Sequence, residues 1–318
     1  MTDNIKVFFT YKIPGPAIDI LKSAGLDLIF ADKKLNSSEL KDVLKNSKAD
    51  VLVCLLTDEI NEEVLSSGIK ICATYSVGFN HIDLQAAKKH GVAVLHTPGV
   101  LTNAVAEFTI SAMLALAKRI KEANEFAVTG KYKGWDPELL LGYELYGKSL
   151  GIIGAGRIGT RVAELAKAFS MEVFYNDVKE NKYIEDKGAV YLPKDELLAR
   201  SDFVSLHVPL LESTYHLLSY NEFETIKHGA FLVNTARGPV VDESALVDAI
   251  KSGKLAGVAL DVFEFEPKIP EAIADLPNVL LTPHIASASK RARNLMSRIL
   301  ADGIIDTLKG KKAKNRVV

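Results

Sequence analysis

The stretch LGIIGAGRIG, residues 150–159, decides the fold class. Its three glycines, Gly154, Gly156 and Gly159, stand in G-x-G-x-x-G spacing between an aliphatic strand-like run and a helix-like pattern reaching Ala168. The three do different things. Gly154 allows a tight turn, Gly156 lets the backbone approach a pyrophosphate, and Gly159 lets helix and strand pack closely. The helix N-terminus then offers backbone N–H groups to the anion. The spacing alone is a weak signal, and its context strengthens it. The next apolar run, Val173-Phe-Tyr-Asn-Asp177, ends in an acid about twenty residues beyond the second glycine, where a ribose diol needs its acceptor. A carboxylate at Asp177 repels a 2′-phosphate, so the pattern predicts NAD(H) in preference to NADP(H).

Outward from this motif, strand-like runs recur near residues 150–154, 172–175, 203–206, 230–234, 257–262 and 279–281, a six-strand Rossmann count. An earlier series precedes it at Ile5–Thr10, Leu28–Phe30, Val51–Leu56, Ile69–Thr74 and Val92–Leu95, with helix-like segments between. One of these helices opens at Asn36 with Glu39 three residues on, the pattern of a capping box. The two series predict an α/β protein of two doubly wound domains. Between them lies an Ala-rich segment from about residue 101 to Gly130, long enough for one long helix or two short ones, and then a loop with the sole tryptophan, Trp135. Trp135 reads as a packing or interface residue. Apolar residues at Leu295, Ile299, Ile304, Ile305 and Leu308 give the last segment, Arg291–Leu308, a helical period, and the basic tail Lys309–Arg316 reads as a solvated end.

At 318 residues, with 48% hydrophobic and 25% charged side chains, the chain has the length and balance of a globular protein of about two domains. Lys and Arg (39) nearly cancel Asp and Glu (40), which argues against nucleic acid or an anionic membrane as partner and favours a small molecule. Two cysteines, Cys54 and Cys72, form neither a disulfide framework nor a zinc knuckle, and the histidines show no metal-ligand spacing, so no metal is expected. Without a signal-peptide layout or a membrane-length apolar run, the expected location is cytoplasmic.

Three further signatures each stand just beyond a strand-like run: NTARG with Arg237, DVFEFEP with Glu266, and TPHIAS with His284. Ligands of such sheets bind outside the carboxyl ends of strands. Reduction of a 2-oxo acid needs a cation for the carboxylate, a proton donor for the alkoxide developing at C2, and a partner that keeps the donor protonated. Arg237, His284 and Glu266 supply these three.

These signatures, with SVGFNHID (76–83), HTPGVLTNAVAE (96–107), YGKSLGIIGAGRIG (146–159) and HVPLLEST (207–214), resemble the D-isomer-specific 2-hydroxyacid dehydrogenases over essentially the whole chain, nearest the glyoxylate and hydroxypyruvate reductases. The resemblance implies that Arg237 holds the substrate carboxylate, that His284 passes the proton, that Glu266 hydrogen-bonds its imidazole, and that N–H groups around Val77 and Gly78 cradle the carboxylate. Around NAD it implies Arg157 and Ile158 in the pyrophosphate turn, Pro209 and Thr214 near the adenosine, Thr235 and Asp261 on the nicotinamide side with His284, and Thr102. It further implies a flavodoxin-like substrate domain of residues 1–99 plus 287–318, a Rossmann NAD-binding domain of residues 100–286, and a homodimer formed through the Ala-rich helices.

One position departs from the pattern: where similar reductases carry a second tryptophan in W-x-P-x-W, this chain has Leu139, which removes an aromatic lid and bears on substrate choice. D-3-phosphoglycerate, D-lactate and phosphite dehydrogenases of the same family are the alternative readings. A NAD-sensing, corepressor-like binding protein is a reading from another class.

Overall fold

The computed structural model describes residues 5–276 and 278–318, which divide into two compact units: the chain up to Leu101 together with Ala288–Val318, and Thr102–Ser287.

In the first unit the strands are β1 (Lys6–Phe9), β2 (Asp27–Phe30), β3 (Val51–Cys54), β4 (Ile71–Thr74) and β5 (Ala93–Leu95). They pair in parallel in the order β2-β1-β3-β4-β5, the flavodoxin-like arrangement. Period-two alternation sends Val7, Phe9, Val51, Val53, Ile71 and Ala73 to one face, where Met296, Leu300 and Ile304 of the helix Lys290–Leu308 cover them. Phe8, Leu52, Cys54 and Cys72 go to the other, under Leu40 and Leu44 of the helix Ser37–Ser47. That helix carries the reciprocal Asn36–Glu39 capping box anticipated from sequence. The free cysteines lie on adjacent strands with their sulfurs 3.9 Å apart.

The carboxy-terminal tail requires a correction. Its lysines point to solvent, but its backbone is not free: Leu95 and Arg316 form an antiparallel bridge, Val317 N donates to Val94 O at 2.8 Å, and Ala313 and Asn315 are buried. The tail covers the edge of β5, which would otherwise expose unpaired backbone groups. Charge count reveals the exposed lysines and misses the alternate residues between them.

The second unit holds β6 (Ser149–Ile153), β7 (Glu172–Asn176), β8 (Ala189–Tyr191), β9 (Phe203–Leu206), β10 (Ala230–Asn234), β11 (Leu255–Leu260) and β12 (Val279–Leu281), all parallel, in the order β12-β11-β10-β9-β6-β7-β8. The sheet therefore has seven strands, not six. The strand missed from sequence, β8, is three residues long, lies at an edge and leaves Val190 and Tyr191 exposed; its apolar run Ala189–Leu192 is too short to stand out. The strand order reverses between β6 and β9, and the crevice at such a switch point is where open α/β sheets bind ligands. The Ala-rich segment forms two helices, Thr102–Ala117 and Ile120–Val128, broken at Arg119, whose φ is 53°. Ala106, Ile110 and Met113 of the first pack on the sheet face formed by Ile152, Val173 and Val233. Trp135 is 84% exposed, so it does not pack within its own chain.

Candidate active site

Every site residue assigned to the second unit, apart from Thr102 at the start of its helix, lies at or beyond the carboxyl end of a strand. After β6, Gly154 has φ +97°, and a Cβ there would meet the His207 backbone carbon at 2.7 Å, so the turn requires glycine. A Cβ on Gly159 would stand 2.0 Å from Gly154 O, so the helix Arg157–Ala168 starts directly on the turn. At Gly156 a Cβ would meet no protein atom within 4 Å; the turn is open on the side where a pyrophosphate has to approach. Exposed Arg157 and half-buried Ile158 follow in the first helical turn. Asp177 accepts from Ala155 N and Val178 N, each at 2.7 Å, which seats its carboxylate beside the glycine turn. These features fit a dinucleotide. Desolvation pushes His207, bonded to Ser205 Oγ at 2.8 Å, down to about 3, so the foot of this turn carries no imidazolium charge. In the next loop Thr214 Oγ1 donates to Pro209 O at 2.6 Å and accepts from Leu211 N, closing the segment after β9.

The groups suited to acid–base chemistry come together at the ends of β10, β11 and β12. His284 Nδ1 lies 3.0 Å from Glu266 Oε2. Glu266 Oε1 accepts from Phe263 N at 3.1 Å. Burial alone would raise the Glu266 carboxyl; the hydrogen bond and charge of His284, the Phe263 N–H and the Arg237 charge outweigh it and hold the group below the ordinary glutamate value. Burial draws the Arg237 guanidinium below its ordinary value while Glu266 opposes the shift, and the group stays cationic at physiological pH. Its Nη1 donates to Ala236 O at 2.6 Å.

Backbone geometry makes this cluster possible. His284 has φ 54°, uncommon outside glycine, and the adjoining chain is held by Asp261, which is 1% exposed. Asp261 Oδ1 accepts from Thr282 Oγ1 and Ile285 N, and Oδ2 from Ala286 N, at 2.7–2.8 Å. The resemblance assigns Asp261 to the nicotinamide side; in the structure its carboxylate fastens the histidine turn. Thr235 Oγ1 lies 3.2 Å from Thr109 Oγ1, on the helix that Thr102 opens.

Two residues escape a reading of the sequence. Buried Asn234 accepts from Ala236 N at 3.0 Å and donates to Arg237 O at 2.9 Å, which shapes the arginine turn. Asn181 donates to Ala155 O and to Thr160 Oγ1 at 2.8 and 2.9 Å, fixing the segment after Asp177 to the glycine turn. The asparagine before Thr-Ala-Arg-Gly is a visible signal for the first; nothing in the sequence distinguishes Asn181 from an ordinary loop residue. Val77 and Gly78 belong to the first unit, in the loop after β4, where His96 Nδ1 bonds Val77 O at 2.9 Å and Ser76 Oγ bonds Gly78 O at 2.6 Å.

Residues 110–286 match the family model of the D-isomer specific 2-hydroxyacid dehydrogenase, NAD binding domain. A glyoxylate reductase of Thermofilum pendens is 44% identical, over 96% of this chain and 92% of its own. Among solved structures, TT0316 protein from Thermus thermophilus has a TM-score of 0.93 at 40% identity, covering 99% of this chain and 100% of that one. D-lactate dehydrogenase from Aquifex aeolicus, complexed with NAD and lactic acid, has a TM-score of 0.84 at 35% identity, covering 96% of both. With its glycine turn, its histidine–glutamate pair and these matches, the chain belongs to the D-isomer-specific 2-hydroxyacid dehydrogenase family and is an oxidoreductase with a NAD-binding domain.

Proposed function

We propose that the protein reduces a short 2-oxo acid of the glyoxylate or hydroxypyruvate kind to the D-2-hydroxy acid, with NADH preferred over NADPH and His284 as proton donor. The observation that carries this reading is the 3.0 Å contact of His284 Nδ1 with Glu266 Oε2. With Nδ1–H given to the carboxylate, Nε2 on the far side of the ring is the atom that delivers a proton to the alkoxide. The nicotinamide, when bound, supplies the hydride to C2. Arg237 holds the substrate carboxylate and flanks its carbonyl, and the Val77 and Gly78 N–H groups are assigned to the same carboxylate. Asp177 takes the ribose diol, the first turn after Gly156 takes the pyrophosphate, and Pro209, Thr214, Thr102, Thr235 and Asp261 complete the cofactor's surroundings. The glyoxylate reductase relatives support the substrate class. A cytoplasmic homodimer completes the proposal.

The test is oxidation of NADH and NADPH by the purified protein against glyoxylate, hydroxypyruvate, pyruvate and phosphohydroxypyruvate, repeated with His284→Ala. Turnover is expected with NADH, and the variant should lose at least ~10²-fold in kcat while still binding NADH. Near-normal kcat in the variant sinks the proton-donor role, and a preference for NADPH sinks the reading of Asp177.

A further inference from the structure

The loop after β4 is held by hydrogen bonds to its carbonyls. Thr97 N donates to Ser76 O at 2.8 Å, and His96 Nδ1 donates to Val77 O at 2.9 Å. A carbonyl oxygen only accepts, so Nδ1 carries the proton. A trans peptide keeps its C=O antiparallel to the N–H that follows. Pinning the Ser76 and Val77 carbonyls toward residues 96 and 97 therefore turns the N–H groups of Val77 and Gly78 away from that segment. Adjacent N–H groups held in this way make a small anion-binding concavity.

His96 is itself fixed from two directions. The Phe79 ring packs edge-on to its imidazole with centroids 5.3 Å apart. Its backbone is clasped by Asn315: His96 N donates to Asn315 O at 3.0 Å, and Asn315 Nδ2 donates to His96 O at 2.8 Å. Asn315 is buried, in a space kept free by Gly303, where a Cβ would come within 2.2 Å of Asn315 Oδ1. A side chain near the carboxyl end of the chain thus holds the backbone of the histidine that orients the loop.

We propose that His96 is a positioning residue for the carboxylate of the 2-oxo acid, acting through the Val77 carbonyl, and that the carboxy-terminal segment holds His96 through Asn315. The proposal rests on the reading that Val77 and Gly78 take the carboxylate. It predicts a signature in substrate binding and not in the chemical step, because His96 acts through the Val77 carbonyl.

The experiment uses the full-length protein with NADH and whichever 2-oxo acid it turns over. Asparagine places Nδ2 where histidine has Nδ1, so His96→Asn keeps a donor for Val77 O and His96→Ala does not. His96→Ala should raise KM for the 2-oxo acid on the order of tenfold, with kcat and NADH affinity changed by less than about twofold. His96→Asn should recover most of the loss, and Asn315→Ala should fall between. An unchanged KM in His96→Ala, or a His96→Asn variant equally impaired, overturns the proposal. Selective 15N-glycine labelling gives a readout without turnover, with the Gly78 amide signal identified by its loss in Gly78→Ala. That signal should move in His96→Ala and stay near its wild-type position in His96→Asn; insensitivity to His96→Ala also overturns the proposal. In the wild-type NADH complex, the planar carboxylate oxamate should shift the same signal. A signal sensitive to His96→Ala but blind to oxamate rejects Val77 and Gly78 as carboxylate ligands and with them the substrate-binding role of His96, while leaving the loop contact itself intact.

Discussion

Asp261 and Glu266 belong to one heptapeptide, DVFEFEP, and the sequence presents them as two acids of equal standing. Three-dimensional surroundings separate them. Asp261 is enclosed by two backbone N–H groups and a hydroxyl, whereas Glu266, its side chain 27% exposed, faces His284. Motif spacing makes the acids visible, but their division of labour depends on which N–H groups the turn after β12 directs inward, and that follows from the left-handed backbone at His284. Glu266 also carries a pH signature. Its folded pKa is depressed, so its contribution to stability is complete above the unfolded value, about 4.3, and is lost as pH falls through the lower folded value. Glu266→Gln removes this dependence. The gap in melting temperature between wild type and variant should therefore be largest near neutrality and narrow in acid below about pH 4, as measured by thermal unfolding across pH. A gap that widens in acid would mean that the depressed pKa is not a property of the folded site. At neutral pH the same variant should lose kcat, since an amide cannot hold an imidazolium charge.

At the scale of elements, the turn from β6 into the helix Arg157–Ala168 is the most legible part of the chain, because steric needs select glycine there and glycine is visible in a sequence. Its glycines are nevertheless not equivalent. Gly159 leaves no room for a Cβ beside Gly154 O, whereas Gly156 has open space around it. Gly159→Ala must push the helix start off the turn, an overpacking cost of about 1–3 kcal/mol, and should lower both Tm and NADH affinity. Gly156→Ala, at an ordinary φ of −70°, should leave Tm within about a degree of wild type and weaken NADH binding alone. Thermal unfolding paired with NADH titration separates the two, and equal Tm losses would contradict the assigned division. Other elements are less legible for definite reasons. Edge strand β8 is too short for its apolar run to stand out, and the tail beyond Lys309 is pinned mainly through backbone atoms, which every residue shares, with the Asn315 side chain adding to them.

For the molecule as a whole, the two units repeat one architectural solution, a parallel sheet whose order reverses near its middle, with the residues proposed for the chemistry in loops beyond its strand ends. What neither sheet accounts for is the arm from Ile120 to Tyr146. Val128, Trp135, Leu141 and Tyr146 are each at least 67% exposed, and Ile120, Tyr132 and Tyr143 more than half exposed. The arm is nonetheless fastened at its far end: Tyr143 N donates to Ala117 O at 2.8 Å, and a Cβ at Gly142 would come within 2.2 Å of that oxygen. A run of large apolar side chains held in place and facing water is the condition under which soluble proteins bury a patch against a partner, and a second copy of this chain is the partner proposed here. Trp135 is the only tryptophan, so its emission reports on that face without labelling. Light scattering should give about twice the chain mass of 34.7 kDa, and the emission should shift to the red on dilution as the copies separate. Val128→Glu combined with Trp135→Glu, which places charge on the same face, should yield a folded monomer. If the wild-type protein scatters as a monomer at micromolar concentration with red emission throughout, the arm stays open to water and the dimer reading is wrong.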